Sequence, residues 1–303
     1  MRPGVSTYRR ISIGALIALS VIIVTGAAVR LTNSGLGCDD WPNCNSERLI
    51  DVSSTHAAIE QVNRLFTGVV VAAVAAAVLG SHRRRPYRRD LVWWSWALVL
   101  GVVANALLGA ITVWVDLHPY AVQGHLLLSM ALVASGATLV RRSGEPDGAV
   151  RRRVVSSSSR ANVWGIVLGT TVAIVTGTVV TGAGPHAGDE EAVRLGVAIP
   201  TAARIHGVSV MSTLGLAVLL VARLRRDRTD AVVLRPGLGR WLFVAVLQAA
   251  LGYLQYFTGV PAILVGAHVA GATAVYIVTT QLLLDTTKPE VTSAARELSD
   301  LPT

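Results

Sequence analysis

Residues 81–90 read SHRRRPYRRD, with Arg83, Arg84, Arg85, Arg88 and Arg89 packed into one short connector. The run before it, 59–80, is apolar, and so is the run after it, 91–113. A dense cationic connector between two such runs decides the fold, because an apolar layer about 30 Å thick takes roughly 17–25 helical residues to cross. Outward from this point, further apolar runs follow at about 11–31, 120–140, 161–181, 201–222, 240–258 and 261–283. The 303-residue chain is 52% hydrophobic and only 15% charged, where soluble domains average about 25% charge. Eight such segments in a soluble bundle would leave hardly any polar surface. The expected fold class is an all-α polytopic membrane protein with eight transmembrane helices. Gly68, Gly109, Gly177 and Gly252 lie inside the runs and permit close helix contact. The first run is long, carries Arg30 at its far end and continues into the same architecture, so it reads as a retained helix rather than a cleaved signal.

The net charge of +9 reflects topology and not nucleic acid. Arginines crowd connectors 81–90, 141–160 and 223–240, whereas the alternate connectors hold Asp39, Asp40, Glu47 and Asp51, and Asp189, Glu190 and Glu191. The positive-inside rule puts the arginine connectors and both termini in the cytoplasm of a cell-membrane protein. The only cysteines, Cys38 and Cys44, then share the first outside loop. A disulfide is the favoured reading there, over two free thiols or a metal pair, since two soft ligands alone do not make a zinc site.

The chain is built as two matching halves. The offset from His125 to His268 is the same as that from Asn63 to His206, and as that from Asn105 to Gln248. Ile23-Val24-Thr25-Gly26 recurs as Ile174-Val175-Thr176-Gly177 at a slightly longer offset, so the halves differ by an insertion or deletion after their first segments. Four segments separate the repeats. They therefore keep one orientation, as a parallel repeat about an axis along the membrane normal. Two pseudo-twofold-related four-helix bundles are expected: 1–140 as the N-terminal bundle, 141–160 as a cytoplasmic linker, 161–283 as the C-terminal bundle and 284–303 as a cytoplasmic tail.

All the matched polar positions fall toward the outer face. His206 and His268 form the stronger pair, because two neutral imidazoles facing each other across a bundle can clasp a haem iron. The bland reading is a pair of satisfied interhelical polar residues. The N-terminal half keeps His125 but has Asn63, a poor haem ligand, at the matched place, which suits a substrate haem held by one histidine. Glu60, Asn63 and Arg64 share roughly one helix face. Glu60 is either a base or charge stabiliser beside a substrate, or an ordinary acid of the first helical turn. Arg64 is open to three readings: a partner of Glu60, a partner of a haem propionate, or an interfacial arginine. His56 reads as a surface histidine that caps an iron only if its loop folds inward. His82, His118 and His186 receive no role, nothing separates the readings of Asp116, and Trp41 packs the first loop onto the bundle.

The run TNSGLGCDDWPNC at 32–44 and the run EQVNRLFTG at 60–68, with His125, His206 and His268 at matching helix positions, resemble the haem A synthase family over about residues 10–283. The resemblance implies oxidation of the haem O methyl group to the formyl group of haem A, for terminal oxidase assembly. It implies a haem b between His206 and His268, a substrate haem on His125, and Glu60 as the catalytic carboxylate. Haem O and haem A are the implied substrate and product, with a membrane quinone as acceptor. Haem O synthase and oxidase assembly factors are candidate partners, and there is room for a homo-oligomer. The sequence departs from the family pattern Glu-x-x-His-Arg, reading Asn63 where the histidine stands. The loop around 182–199 also lacks the second cysteine pair of many bacterial relatives. Two other readings stay open: a b-type membrane cytochrome that only relays electrons, and a haem-handling or transport protein.

Overall fold

The computed structural model describes residues 3–291. Eight helices follow one another: α1 (Val5–Leu31), α2 (Thr55–Arg83), α3 (Arg89–Trp114), α4 (Pro119–Ser143), α5 (Ser157–Ala183), α6 (Ile199–Arg226), α7 (Arg228–Phe257) and α8 (Ala262–Asp285). At 1.5 Å per residue even α8 is about 36 Å long, and all eight are long and apolar enough to cross a membrane. Large apolar side chains face outward along them, including Leu100 at 72% exposure, Leu168 at 65% and Phe243 at 71%. In water such a belt would drive aggregation; in lipid it is the expected outer surface. Inside the helices, Ser and Thr hydroxyls return their hydrogen bonds to the preceding turn, as Ser12 does to Tyr8 and Thr170 to Ile166.

The helices cluster in two halves with the same packing plan. In the first, α1 packs on α2 and α4, and α3 on α2 and α4; in the second, α5 packs on α6 and α8, and α7 on α6 and α8. Between the halves α4 meets α8, α1 meets α8, and α4 meets α5. Exchanging the halves maps the α1–α8 contact onto α4–α5 and the α4–α8 contact onto itself, which is what a pseudo-twofold requires. The tight turns repeat as well. Leu117 and Val260 are related by the same offset as His125 and His268, and both adopt positive φ (57° and 58°), after Asp116 (φ 50°) and Gly259 (φ 81°). Leu117 N–H donates to the Thr112 carbonyl at 2.8 Å, and Val260 N–H to the Gln255 carbonyl at 2.7 Å. A β-branched residue in the left-handed region is costly, so the α7–α8 turn is held by its surroundings rather than by local preference.

Connectors 32–54, 115–118, 184–198 and 258–261 lie at one end of the bundle, here the loop end. The arginine-rich connectors lie at the other. Each half has a compact apolar core toward the arginine end: Tyr8, Val74, Leu91, Leu98 and Leu139 in one, Ile166, Leu220, Leu234, Trp241 and Leu282 in the other. The matched polar residues lie beyond these cores, toward the loop end, where side-chain packing gives way to open space.

Two features differ from the sequence expectation. The seventh helix begins at Arg228, not near 240, and carries Pro236 inside it. Its first turns are polar and carry no apolar run, but Asp227 caps them by accepting from Asp230 N–H at 3.0 Å. Asp230 in turn accepts from Ser156 N–H and hydroxyl at the start of α5. Secondly, the expected linker and tail pair with each other. Strand β1 (Ala149–Arg153) runs antiparallel to β2 (Thr287–Val291), with Arg153 opposite Thr287. Arg151 fastens this ribbon by an ion pair with Glu145 and by hydrogen bonds to the Leu284 carbonyl (2.8 Å) and the Thr287 hydroxyl (2.7 Å). Arg88 stitches the same end, and the Asp90 carboxylate, hydrogen-bonded to it at 2.8 Å, pushes its pKa above the ordinary arginine value. Residues 292–303 of the expected tail lie outside the described residues.

Candidate haem-binding sites

A cavity of about 630 Å³ opens at the loop end of the first half, within the size range of small-molecule and cofactor sites. Glu60, Asn63, Arg64 and His125 all line it. So do Trp41, from the first loop, and His186 and Gly188, from the loop after α5. Val265 and Val269 of α8 complete the wall, so the second half closes the cavity of the first.

Glu60 is 5% exposed and both of its oxygens are engaged. Oε2 accepts from Cys38 N–H at 2.8 Å; Oε1 accepts from Arg64 Nε at 3.0 Å and Nη2 at 2.6 Å. Arg64 spends its remaining N–H groups on the carbonyls of Asp40 (2.8 Å), Asn43 (3.0 Å) and Cys38 (3.3 Å). All five guanidinium donors are therefore used inside the protein. Of the three roles open to Arg64, partner of Glu60 is the one the geometry realises, and the pair hangs the first loop on α2. Within that loop Cys38 and Cys44 form a disulfide, buried against Ala57. Trp41 packs edge-on to Trp114 of α3 at 6.3 Å, pinning the loop to the bundle. His56 pairs through Nδ1 with the Ser34 hydroxyl at 2.9 Å and is not among the residues lining the cavity.

The three matched histidines each lie against a glycine of the neighbouring helix. A Cβ placed on Gly109 would sit 3.1 Å from His125 Cε1, on Gly177 3.2 Å from His206 Cε1, and on Gly252 3.0 Å from His268 Cε1. These are seats for flat rings. Gly109 and Gly252 are again related by the repeat offset of the histidines, and Gly177 stands where Gly26 stands in the first half. Over Gly26 a Cβ would meet nothing within 4 Å. The opposing side chain there is Asn63, which is shorter than an imidazole and accepts at Oδ1 from the Thr25 hydroxyl at 2.8 Å. In the second half Thr176 makes the corresponding approach to His206 Nδ1 at 3.2 Å.

His206 and His268 face each other with ring centroids 6.4 Å apart and planes at 81°. Two metal–nitrogen bonds of about 2.0–2.1 Å, with about 1.1 Å more from each nitrogen to its ring centre, give roughly 6.3 Å for imidazoles sharing one metal ion. His206 Nδ1 donates to the Ala173 carbonyl at 2.9 Å, which leaves Nε2 as the free donor atom. Nδ1 of His268 and Nδ1 of His125 are buried without a partner, although the Asn105 carbonyl lies near His125. The spacing and the His206 tautomer suit two imidazoles that share one metal ion. Among the described residues no group of three or more His, Cys, Asp or Glu forms a conventional metal cluster, and a haem needs none, since its four equatorial ligands are its own.

Residues 9–58 and 47–280 match the profile of the COX15-CtaA family, described as cytochrome oxidase assembly protein. The chain belongs to this family. Among curated members it is similar to the Heme A synthase of Geobacillus kaustophilus, 34% identical over 114 residues, covering 37% of this chain and 35% of that protein. It is also similar to the Heme A synthase of Listeria monocytogenes, 30% identical over 179 residues, 56% of this chain and 57% of that protein. The chain thus spans between about a third and a little over half the length of these curated relatives. As a COX15-CtaA protein it is a multi-pass membrane protein of a haem-handling family. Sequence reasoning passed over His186, Arg30 and the role of the glycine seats. Only the spacing of Gly109 and Gly252, equal to that of the histidines they seat, signalled any of these in advance.

Proposed function

We propose that this chain is a haem A synthase, oxidising the methyl group of haem O to the formyl group of haem A for terminal oxidases. One observation carries the reading: a single chain holds a histidine-lined cavity in one half and a facing pair of histidines in the other, at repeat-matched positions. In the first half His125 takes the iron of the substrate, and Asn63 stands where the family pattern has a second histidine, leaving that side of the substrate open. The Glu60 carboxylate places negative charge on the cavity wall near the reacting methyl, where it steadies positive charge or accepts a proton. The disulfide loop, fastened by Glu60 and Arg64, roofs the cavity and limits water. In the second half His206 and His268 hold a haem b. When bound, that group supplies one-electron redox chemistry.

Written with water as the oxygen source, a methyl group that becomes a formyl group gains one oxygen atom and gives up four electrons and four protons, which reduce two molecules of an acceptor to the two-electron level; a membrane quinone is the natural class. Residues 1–140 form the substrate half and 161–283 the haem b half. Both termini face the cytoplasm, so the loop end and both haem sites lie toward the outer face. A reporter fused within 186–190 is expected on the outer side. Haem O synthase, which makes the substrate, and oxidase assembly factors, which take the product, are the expected partners.

The deciding experiment supplies haem O to membranes containing the protein and resolves extracted pigments by chromatography. Accumulation of haem A is expected. The single iron ligand in the cavity and the fully engaged Glu60 favour a second reading, a b-type cytochrome with a degenerate first half. Low-spin haem without any haem A would establish that reading instead.

A further inference from the structure

Arg30 closes α1 at the loop end and lines the same cavity. Its Nη2 donates to the Thr181 carbonyl of α5 at 2.8 Å, and its Nε is buried without a partner. Among the described residues no carboxylate oxygen lies within 4.0 Å of it. Arg194, a like charge, also acts on it. Arg64, also on the wall, has all five donors in use, and Glu60, among the described residues the only carboxylate lining the cavity, has both oxygens in use. Arg30 is half-buried, and a guanidinium partly withdrawn from water without a counter-ion is less favourable than one completed by an anion. The cavity therefore carries one uncompensated cation on its wall, at the boundary between the two halves.

We propose that Arg30 binds a carboxylate of the cavity's ligand, taking a propionate of the tetrapyrrole while His125 takes its iron. This deepens the proposed function and rests on it. A haem is an apolar disc with carboxylates on one edge. The cavity offers an apolar wall with an imidazole on one side, and Arg30 fixes which edge of the disc faces the loop end. That choice determines which ring substituent is presented toward Glu60. The charge-assisted bond to a guanidinium is both strong and directional.

The test titrates purified holoprotein, in nanodiscs of zwitterionic lipid, with iron protoporphyrin IX and separately with its dimethyl ester, which has no carboxylate. Wild type is expected to bind the diacid at least tenfold more tightly. Arg30→Gln is expected to weaken the diacid alone and to erase that preference. Equal weakening of diacid and diester would make Arg30 a mere tie to Thr181 and overturn the proposal. An unchanged preference would also overturn it, and would be the result if the arginine serves a lipid phosphate. Binding of neither probe to wild type would overturn the substrate reading of the cavity itself. The C-terminal haem spectrum reports whether each variant is folded. If Arg30→Gln does not accumulate, Arg30→Lys replaces it: exchanging the planar fork for a point charge should cut the preference several-fold, and an unaltered preference would count against the proposal.

Discussion

His206 donates from Nδ1 to the backbone carbonyl of Ala173 at 2.9 Å, and this one bond sets which ring nitrogen remains free. A carbonyl can only accept, so the proton is on Nδ1 and Nε2 is the donor atom available to a metal. His268, facing it, has no such anchor at Nδ1. The two imidazoles are thus unequal: one is pre-set by α5 and the other is oriented by its seat on Gly252.

His206→Ala and His268→Ala are each expected to abolish the low-spin bis-histidine spectrum of the purified protein. On the proposed assignment each would remove one ligand of the iron, leaving the porphyrin to packing and propionate contacts. Optical and paramagnetic resonance spectra check this. Retention of an unchanged spectrum in both variants would mean that the haem pair is elsewhere.

Gly252→Ala should lower haem occupancy without unfolding the protein. Its new Cβ would sit 3.0 Å from His268 Cε1 and tilt the ring, and overpacking of this kind costs about 1–3 kcal/mol. Gly215→Ala in α6, whose Cβ meets nothing within 4 Å and which lies outside the cavity lining, serves as the control and should leave occupancy unaltered. The haem-to-protein ratio of the two variants decides the matter.

Glu60→Gln is expected to lose haem A formation while the C-terminal haem is retained. It should also loosen the first loop, because the amide cannot replace the charge that Arg64 and Cys38 N–H share, and burying Arg64 unpaired is costly. Asn63→Ala should be milder, since it deletes one hydrogen bond to Thr25. Both effects are read by pigment analysis beside the rate of disulfide reduction. Near-normal conversion by Glu60→Gln would leave this carboxylate a loop clamp and nothing more.

Cys38→Ser should destabilise the loop by about 2 kcal/mol, the order expected for releasing so short a closed segment. Trp41 then loses its fixed contact with Trp114, so tryptophan fluorescence and proteolysis between residues 38 and 48 should both change. Mass spectrometry of non-reduced, alkylated wild-type peptides should show the bond intact.

Much of this architecture is legible along the chain. Eight apolar runs of membrane length announce eight helices, because the thickness of lipid sets a minimum that no loop satisfies. The common offset of the polar pairs announces two halves, because a repeat preserves spacing wherever its folded units match. Glu60, Asn63, Arg64 and His125 were expected near one another, and the fold does bring them to one cavity. Other features were invisible. The polar first turns of α7 carry no apolar run, and the β1–β2 ribbon joins strands that stand on either side of the whole second half in the chain. Arg64 is saturated and Arg30 is not, although both are arginines beside apolar helices. That difference depends on which carbonyls and carboxylates from distant segments come within hydrogen-bonding reach. An apolar period is a property of neighbours along the chain, whereas an unpaired charge is defined only by neighbours in space.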